Sequence, residues 1–377
     1  MRKVALIVGL AAALGFNNAQ AVDLTWKGDV RYRYQSDLTN LQGVTGEHSR
    51  DRHRYRVRLG VYPWINEELS AGVQIASAGA GTETTSRNET MDDMFNPDPI
   101  YINEAFIDYH PTALNGNVNI ILGKRVVAST LITVNDLVWD TDLTFEGATV
   151  QYGKDGDGKE KDGLSAVAGY YILNELKSVS PMDARDAFLA VGQIAYKGEV
   201  SDLSYQLGAA YYDYAHFDYN IGSGFFKNSI NYTGKDFNIV EFFGSFGGQI
   251  TETLPWKISG QYAFNTASYD AGNVHRYLLD NAKRDSYLAE LKIGDAKQVG
   301  QWSLYGDYIR IERDAVTAFT DSDRNDGSGT DLEGFKVGAV YHLVQNMTLG
   351  VNYFNFQKIN DDSKTYHTFM ADVVVKF

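Results

Sequence analysis

Apolar and polar residues alternate at every second position over stretch after stretch of this chain. In one early segment Tyr55, Val57, Leu59 and Val61 interleave with Arg52, Arg54, Arg56 and Arg58. A helix would spread these arginines around its circumference, whereas a strand sets all four on one face. The same period recurs in sixteen segments, at 26–34, 55–61, 69–75, 105–109, 118–122, 148–152, 164–170, 189–195, 203–211, 240–246, 256–264, 287–293, 302–308, 335–341, 347–353 and 369–377. Short turns alternate with long polar links near 35–51, 78–100, 124–144, 173–186, 213–235, 265–285, 312–332 and 357–364. Each strand with its share of the links takes roughly 22 residues, enough for a tilted membrane-crossing strand of about ten.

The pattern predicts an all-β fold: a transmembrane antiparallel β-barrel of about sixteen strands. Soluble β-sandwiches also alternate, but three features point to lipid. Aromatic residues stand at strand ends, at Trp26, Tyr34, Tyr62, Trp64, Trp256, Phe264 and Trp302, where rings lodge at a lipid–water boundary. An even strand number returns the chain to its starting side. An arginine facing lipid at mid-height costs about 2–4 kcal/mol, so the row Arg52 to Arg58 must face a wet lumen. The charged link 153–163 after the sixth strand is longer than the rule predicts.

Composition sharpens this reading. Gly reaches 36 and Tyr 25 against only 6 Pro and no Cys, a balance that favours glycine-relieved strands and excludes disulfides and cysteine-based zinc or catalytic sites. A net charge of −14 opposes binding to nucleic acid, whose phosphates need clustered cations. Residues 1–21 read as a signal peptide: Arg2 and Lys3, the apolar run Val4 to Phe16, then Ala19-Gln20-Ala21 before an expected cut ahead of Val22. The barrel is then expected to occupy 22–377.

Several local strings resemble a Gram-negative outer-membrane porin, and more closely the large proteobacterial group described as "putative porins". They are Arg54-Tyr55-Arg56-Val57-Arg58-Leu59-Gly60, Asn88-Glu89-Thr90, Asp98-Pro99-Ile100, Asn103-Glu104-Ala105-Phe106, Gly123-Lys124-Arg125, and Leu137-Val138-Trp139-Asp140 leading to Phe145-Glu146-Gly147. They cover the N-terminal 150 residues; beyond these, the likeness lies in the barrel pattern and in Phe377, which resembles the terminal aromatic by which such barrels are recognised for assembly. The resemblance implies a water-filled channel for passive diffusion of small hydrophilic solutes and ions, set in lipid and lipopolysaccharide of the outer membrane. It also implies delivery by the barrel-assembly machinery, a homotrimer, and a third extracellular loop folded inward.

Local chemistry agrees with an inward loop. The link Lys124 to Thr144 carries Val126, Val127, Leu131, Ile132, Val134, Leu137, Val138 and Trp139, which is odd for a loop standing in water. Its Asp136, Asp140 and Asp142 are expected to oppose wall arginines Arg31, Arg33, Arg52, Arg54, Arg56 and Arg58, with Arg125 nearby, across a narrow gap that filters ions. Crowded guanidinium groups need counter-charges, and Asp29, Glu104 and Asp108 are the candidates. With more bases than acids at the gap, modest anion preference is expected. Outward Gly28, Ala71 and Ala105 are small enough to pack against a neighbouring barrel.

Other chemistry finds weaker support. A barrel lipase or protease would need an oriented Ser–His pair, yet His48, His53, His110, His216, His275, His342 and His367 are scattered over loops and strand ends without a G-x-S-x-G string. Asp321 to Gly327 resembles the start of a calcium loop, but its glycine is seventh where the sixth is needed, and Asp155-Gly156-Asp157-Gly158 is shorter. Gly79-Ala80-Gly81 precedes no helix and is no nucleotide fingerprint. No cofactor is expected. A channel selective for one nutrient or anion is the nearest alternative.

Overall fold

The computed structural model describes residues 22–41, 48–78, 86–92, 94–175, 186–216, 237–267, 283–324, 329–360 and 364–377; the signal-peptide segment and parts of several long links lie outside these. Seventeen strands follow in order: β1 (Asp23–Leu41), β2 (His48–Asn66), β3 (Leu69–Ser77), β4 (Glu89–Thr90), β5 (Ile100–Tyr109), β6 (Val118–Val126), β7 (Thr144–Tyr152), β8 (Gly163–Asn174), β9 (Ala187–Val200), β10 (Leu203–Ala215), β11 (Asn238–Thr251), β12 (Leu254–Asn265), β13 (Asp285–Gly294), β14 (Trp302–Ile311), β15 (Leu332–Val344), β16 (Met347–Lys358) and β17 (Lys364–Lys376). Sixteen close an antiparallel barrel, in which β1 pairs with both β2 and β17. The two-residue β4 is an addition that pairs with β2 at Arg54 and Tyr55, while β3 pairs directly with β5. Closure leaves no strand edge facing lipid, the condition for a sheet to span a bilayer. Among the described residues no helix is long and apolar enough to cross.

Period two decides where side chains point. On β1, Val30 and Tyr32 are exposed on the outer wall while Asp29, Arg31, Arg33, Gln35 and Asp37 are buried within. Both β1 and β2 run 19 residues, longer than the apolar alternation suggests, so the link near 35–51 shrinks to 42–47. The ladder continues past the point where the outer face turns polar, at Ser36 and Asn40, because backbone pairing does not stop where the lipid does.

Two aromatic positions expected at the outer boundary lie inside. Tyr62 donates its hydroxyl hydrogen to Glu104 Oε2 at 2.7 Å, and Trp64 stacks on His110 with ring centroids 4.8 Å apart; both share the parity of the arginines on β2. Glycine makes room for rings laid flat on this wall, since a Cβ on Gly72 would stand 2.4 Å from Phe106. Phe377 extends the β1 edge through two backbone hydrogen bonds with Gly28, at 2.8 and 3.1 Å. Its ring packs over Gly28, which like Ala71 is half-buried, while Ala105 stays exposed.

The over-long link 153–162 has a structural reason. It turns back into the barrel at the short-turn end, closed by a Lys154–Glu160 bridge. Gly158, with φ of +81°, lies so close to Ser129 that a Cβ would come 2.2 Å from its carbonyl oxygen, and Lys27 pairs with Asp157 at 2.7 Å.

Candidate pore constriction

The loop 127–143, here L3, leaves the wall after β6, forms the short helix α1 (Val127–Thr130) and crosses the lumen. Its apolar residues Leu131, Ile132, Leu137, Val138 and Trp139 join one buried cluster with inward side chains of β8 to β17, among them Leu189, Tyr212, Ile239, Ile309 and Phe356. Trp139 stacks on Phe319 and Tyr214 and meets Phe145 and Tyr212 edge-on. Wall amides pin the backbone. Gln193 accepts from Ile132 N at 2.8 Å and donates to Ile132 O at 3.1 Å, Gln261 accepts from Leu137 N, and Gln151 donates to Ser129 O and Thr130 O. Lys154 Nζ donates to Leu131 O at 2.6 Å. A buried peptide group without a partner is costly, so these contacts fix L3 where it lies.

A second loop also turns inward. Residues 312–324, expected as part of an outer link, carry Ala315, Val316 and Phe319 onto the L3 cluster, and Asp140 N donates to Phe319 O at 2.6 Å. The run resembling the start of a calcium loop, Asp321 to Gly327, begins in this segment, and its 325–327 fall outside the described residues. Its Asp323 pairs with Arg33 at 2.8 Å and its Asp321 approaches Lys336 at 3.9 Å. Among the described residues no group of three or more His, Cys, Asp or Glu has metal-binding geometry.

All six wall arginines lie on the inner face, and each meets a partner there. Arg33 grips Asp372 through Nε and Nη2 at 2.7 and 2.9 Å and reaches Asp323 as well. Arg56 and Arg58 share Asp29 at 2.8 and 2.6 Å. Arg52 pairs with Asp37. Arg31 donates to Asn88 Oδ1 and Ser86 O, and Arg54 to Gln35 Oε1 and Asn88 O. Ser86 and Asn88, just before β4, thereby lie over the row, leaving Arg54 only 1% exposed; the side chain of Arg58 keeps 21%. Arg125 pairs with Asp108 at 3.3 Å and lies 4.8 Å from the centroid of Phe106.

The expected acids divide differently. Of the L3 aspartates, Asp142 reaches the row, at 3.1 Å from Arg58 and 3.5 Å from Arg56. Asp140 turns back to accept from Asp142 N, and Asp136 accepts from Thr141 N while its carbonyl takes a hydrogen bond from Arg324. Burial first, and then the charge of Asp321, push the Asp136 carboxyl up to about 6. Glu104 serves Tyr62 and Val126 N, not an arginine. Sequence reasoning missed Asp37, Asp372 and Asp323. The first two carry the inward parity of their strands and could have been found by it; Asp323 sits in a loop where no period applies.

One histidine among the described residues meets both a serine and a carboxylate. His110 Nε2 lies 2.9 Å from Ser70 Oγ, and Nδ1 lies 2.8 Å from Asn119 Oδ1 and 3.5 Å from Asp108. An acyl-transfer site also needs backbone N–H groups aimed at one oxyanion. Ser70 sits within β3, itself and Leu69 paired with both β2 and β5 and Ala71 paired with β5. The trio instead joins the turn 110–117 to the wall, with His110 N donating to Glu68 O at 2.7 Å.

A closed barrel of sixteen strands with a charged inner wall and loops folded into its lumen is the architecture of an outer-membrane diffusion channel. The sequence pattern of the family described as "Putative porin" matches residues 16–244 and 223–377, and the chain belongs to that family. It is an outer-membrane porin, a channel for passive diffusion. Among solved structures it is similar to Pseudomonas putida OprB, at 11% identity over 94% of each chain with a TM-score of 0.57. It is also similar to Salmonella typhi OmpF in complex with daunomycin, at 12% identity over 94% of this chain and 97% of that one, TM-score 0.53. An anion-selective porin from Comamonas acidovorans aligns at 11% identity over 95% and 100%, TM-score 0.53. At these identities the likeness is one of fold. No curated protein matches.

Proposed function

We propose that solutes crossing this porin are filtered where Arg58 on β2 faces Asp142 on L3, and that the channel weakly prefers anions. The observation carrying this reading is that Arg58 and Asp142, 3.1 Å apart, keep 21% and 30% side-chain exposure while Arg31, Arg33, Arg54 and Arg56 are buried, covered by Ser86, Asn88 and Asp323. Among the described residues the row meets Asp29, Asp37, Asp142, Asp323 and Asp372, so most of its charge is matched, which supports weak preference in place of a strong filter. A pair of fixed opposite charges across a narrow gap sets a transverse field that acts on passing ions.

The test compares Arg58→Ser with Arg54→Ser. The first should move the zero-current potential in a salt gradient toward cations; the second, at a covered position, should move it less. Equal shifts would remove Arg58 from the filter.

The channel reading extends to a non-catalytic protein that matures by loss of residues 1–21 and works as a homotrimer. Support for assembly is that Met94 and Phe95, in the link before β5 and outside the lipid-facing strands, are 90% and 100% exposed. Cross-linking in mild detergent tests it, and a species that never exceeds monomer size would overturn it.

A further inference from the structure

At the short-turn end, below the arginine row, the inner wall of β1, β2, β3, β5 and β6 encloses with the 153–162 link a cavity of about 410 Å³. Cations enter it from five places: Lys27 on β1, Arg58 on β2, Arg125 on β6, Lys376 on β17 and Lys159 on the link. Its apolar surface is aromatic. Lys27 Nζ stands 5.5 Å from the Tyr62 ring centroid, Arg125 lies over Phe106, and Trp64 is held between His110 and Gly156.

The acids that reach this cavity are already engaged. Asp29 is shared by Arg56 and Arg58, Glu104 is taken by Tyr62 and Val126 N, and Asp157 is paired with Lys27. Lys159 and Lys376 are ion-paired with no carboxylate among the described residues. Lys159 and Lys376, on the lining of a partly enclosed cavity that also carries Tyr62, Trp64 and Phe106, suit a solute with a carboxylate at one end and a planar apolar body at the other: the charge meets the lysines and the ring enters the aromatic part of the cavity.

We propose that this cavity is an exit subsite for small aromatic monocarboxylates. The proposal rests on the channel reading and adds a substrate class to it. A weak site at the inner mouth gives such an anion a resting point after the arginine row and returns it readily to water, since conduction needs binding loose enough to release.

Sodium benzoate tests it, with sodium acetate lacking the ring and benzyl alcohol lacking the charge. Added to each chamber of a planar bilayer in turn, benzoate should reduce potassium chloride conductance saturably and at lower concentration from one side, with acetate weaker and benzyl alcohol without effect. Lys159→Gln combined with Lys376→Gln should weaken benzoate roughly three- to tenfold, the effect of losing two partly exposed charges. Equal action of acetate or benzyl alcohol, or an unchanged double variant, overturns the subsite while leaving the channel intact. Should no current pass, the channel reading fails, and radiolabelled benzoate binding to detergent-purified protein reads the subsite alone; no saturable binding overturns it.

Discussion

Arg33 and Asp323 lie 290 residues apart in sequence and 2.8 Å apart in the barrel. The pair latches the inward segment 312–324 to β1, and Arg33 is held in turn by Asp372 on β17. Strand closure thus brings the first strand, the seventh long loop and the last strand to one guanidinium group.

Asp323→Ala is expected to release that segment. Removing one partner of a buried pair costs about 3–5 kcal/mol, but here Asp372 still holds Arg33, so the loss should fall at the low end of that range. Conductance should rise and the barrel should remain folded, as read by heat-modifiable migration on gels. Unchanged conductance would show that 312–324 does not narrow the path.

Gln193→Ala should loosen L3. It strips partners from both Ile132 N and Ile132 O, and a buried polar group left unpaired costs roughly 1–3 kcal/mol. Lower unfolding temperature and noisier open-channel current are expected. Trp139→Ala, which empties the middle of the aromatic stack, should cost more, about 3–5 kcal/mol.

Acidity should act through Asp136. Its folded value of about 6 lies above the ordinary 3.8 because burial and Asp321 disfavour its charge. The folded protein therefore holds this proton where the unfolded chain has lost it. The penalty is absent below about pH 4 and complete above about pH 6, so stability from this group falls as pH rises across that window. Asp323 behaves in the opposite sense. Burial raises its carboxyl, but Arg33 and Arg31 more than offset this and hold it well below the usual range; its contribution is present above the ordinary value and lost only in stronger acid. Thermal unfolding of the parent should show the first slope, and Asp136→Asn should flatten it.

Much of this was legible in the chain because lipid imposes a strict rule on alternate residues. Val57 and Tyr32 had to face out and Arg54, Arg56 and Asp29 in, and all sixteen barrel strands follow from that period. The rule fails where lipid ends. Beyond Tyr34 the outer face is polar, so the rise of β1 to Leu41 left no apolar mark, and Trp64 resembled a boundary ring while its parity placed it inside. Loop partners were hidden for another reason: nothing local in Ser86, Asn88 or Asp323 announces an arginine 30 to 290 residues away, and Asp136 and Asp142, six residues apart on L3, part company only because the loop turns between them. The strand aspartates Asp37 and Asp372 could have been paired with arginines by parity and register alone.

The central claim is a narrow aqueous channel whose ion preference is set by Arg58 opposite Asp142. Single-channel recording of the purified protein in a planar bilayer under a potassium chloride gradient tests it most directly. The account expects small, discrete, ohmic steps with a zero-current potential slightly on the anion side, moved further that way by Asp142→Asn and toward cations by Arg58→Ser. A bilayer that stays sealed, or steps whose selectivity ignores both substitutions, would contradict it.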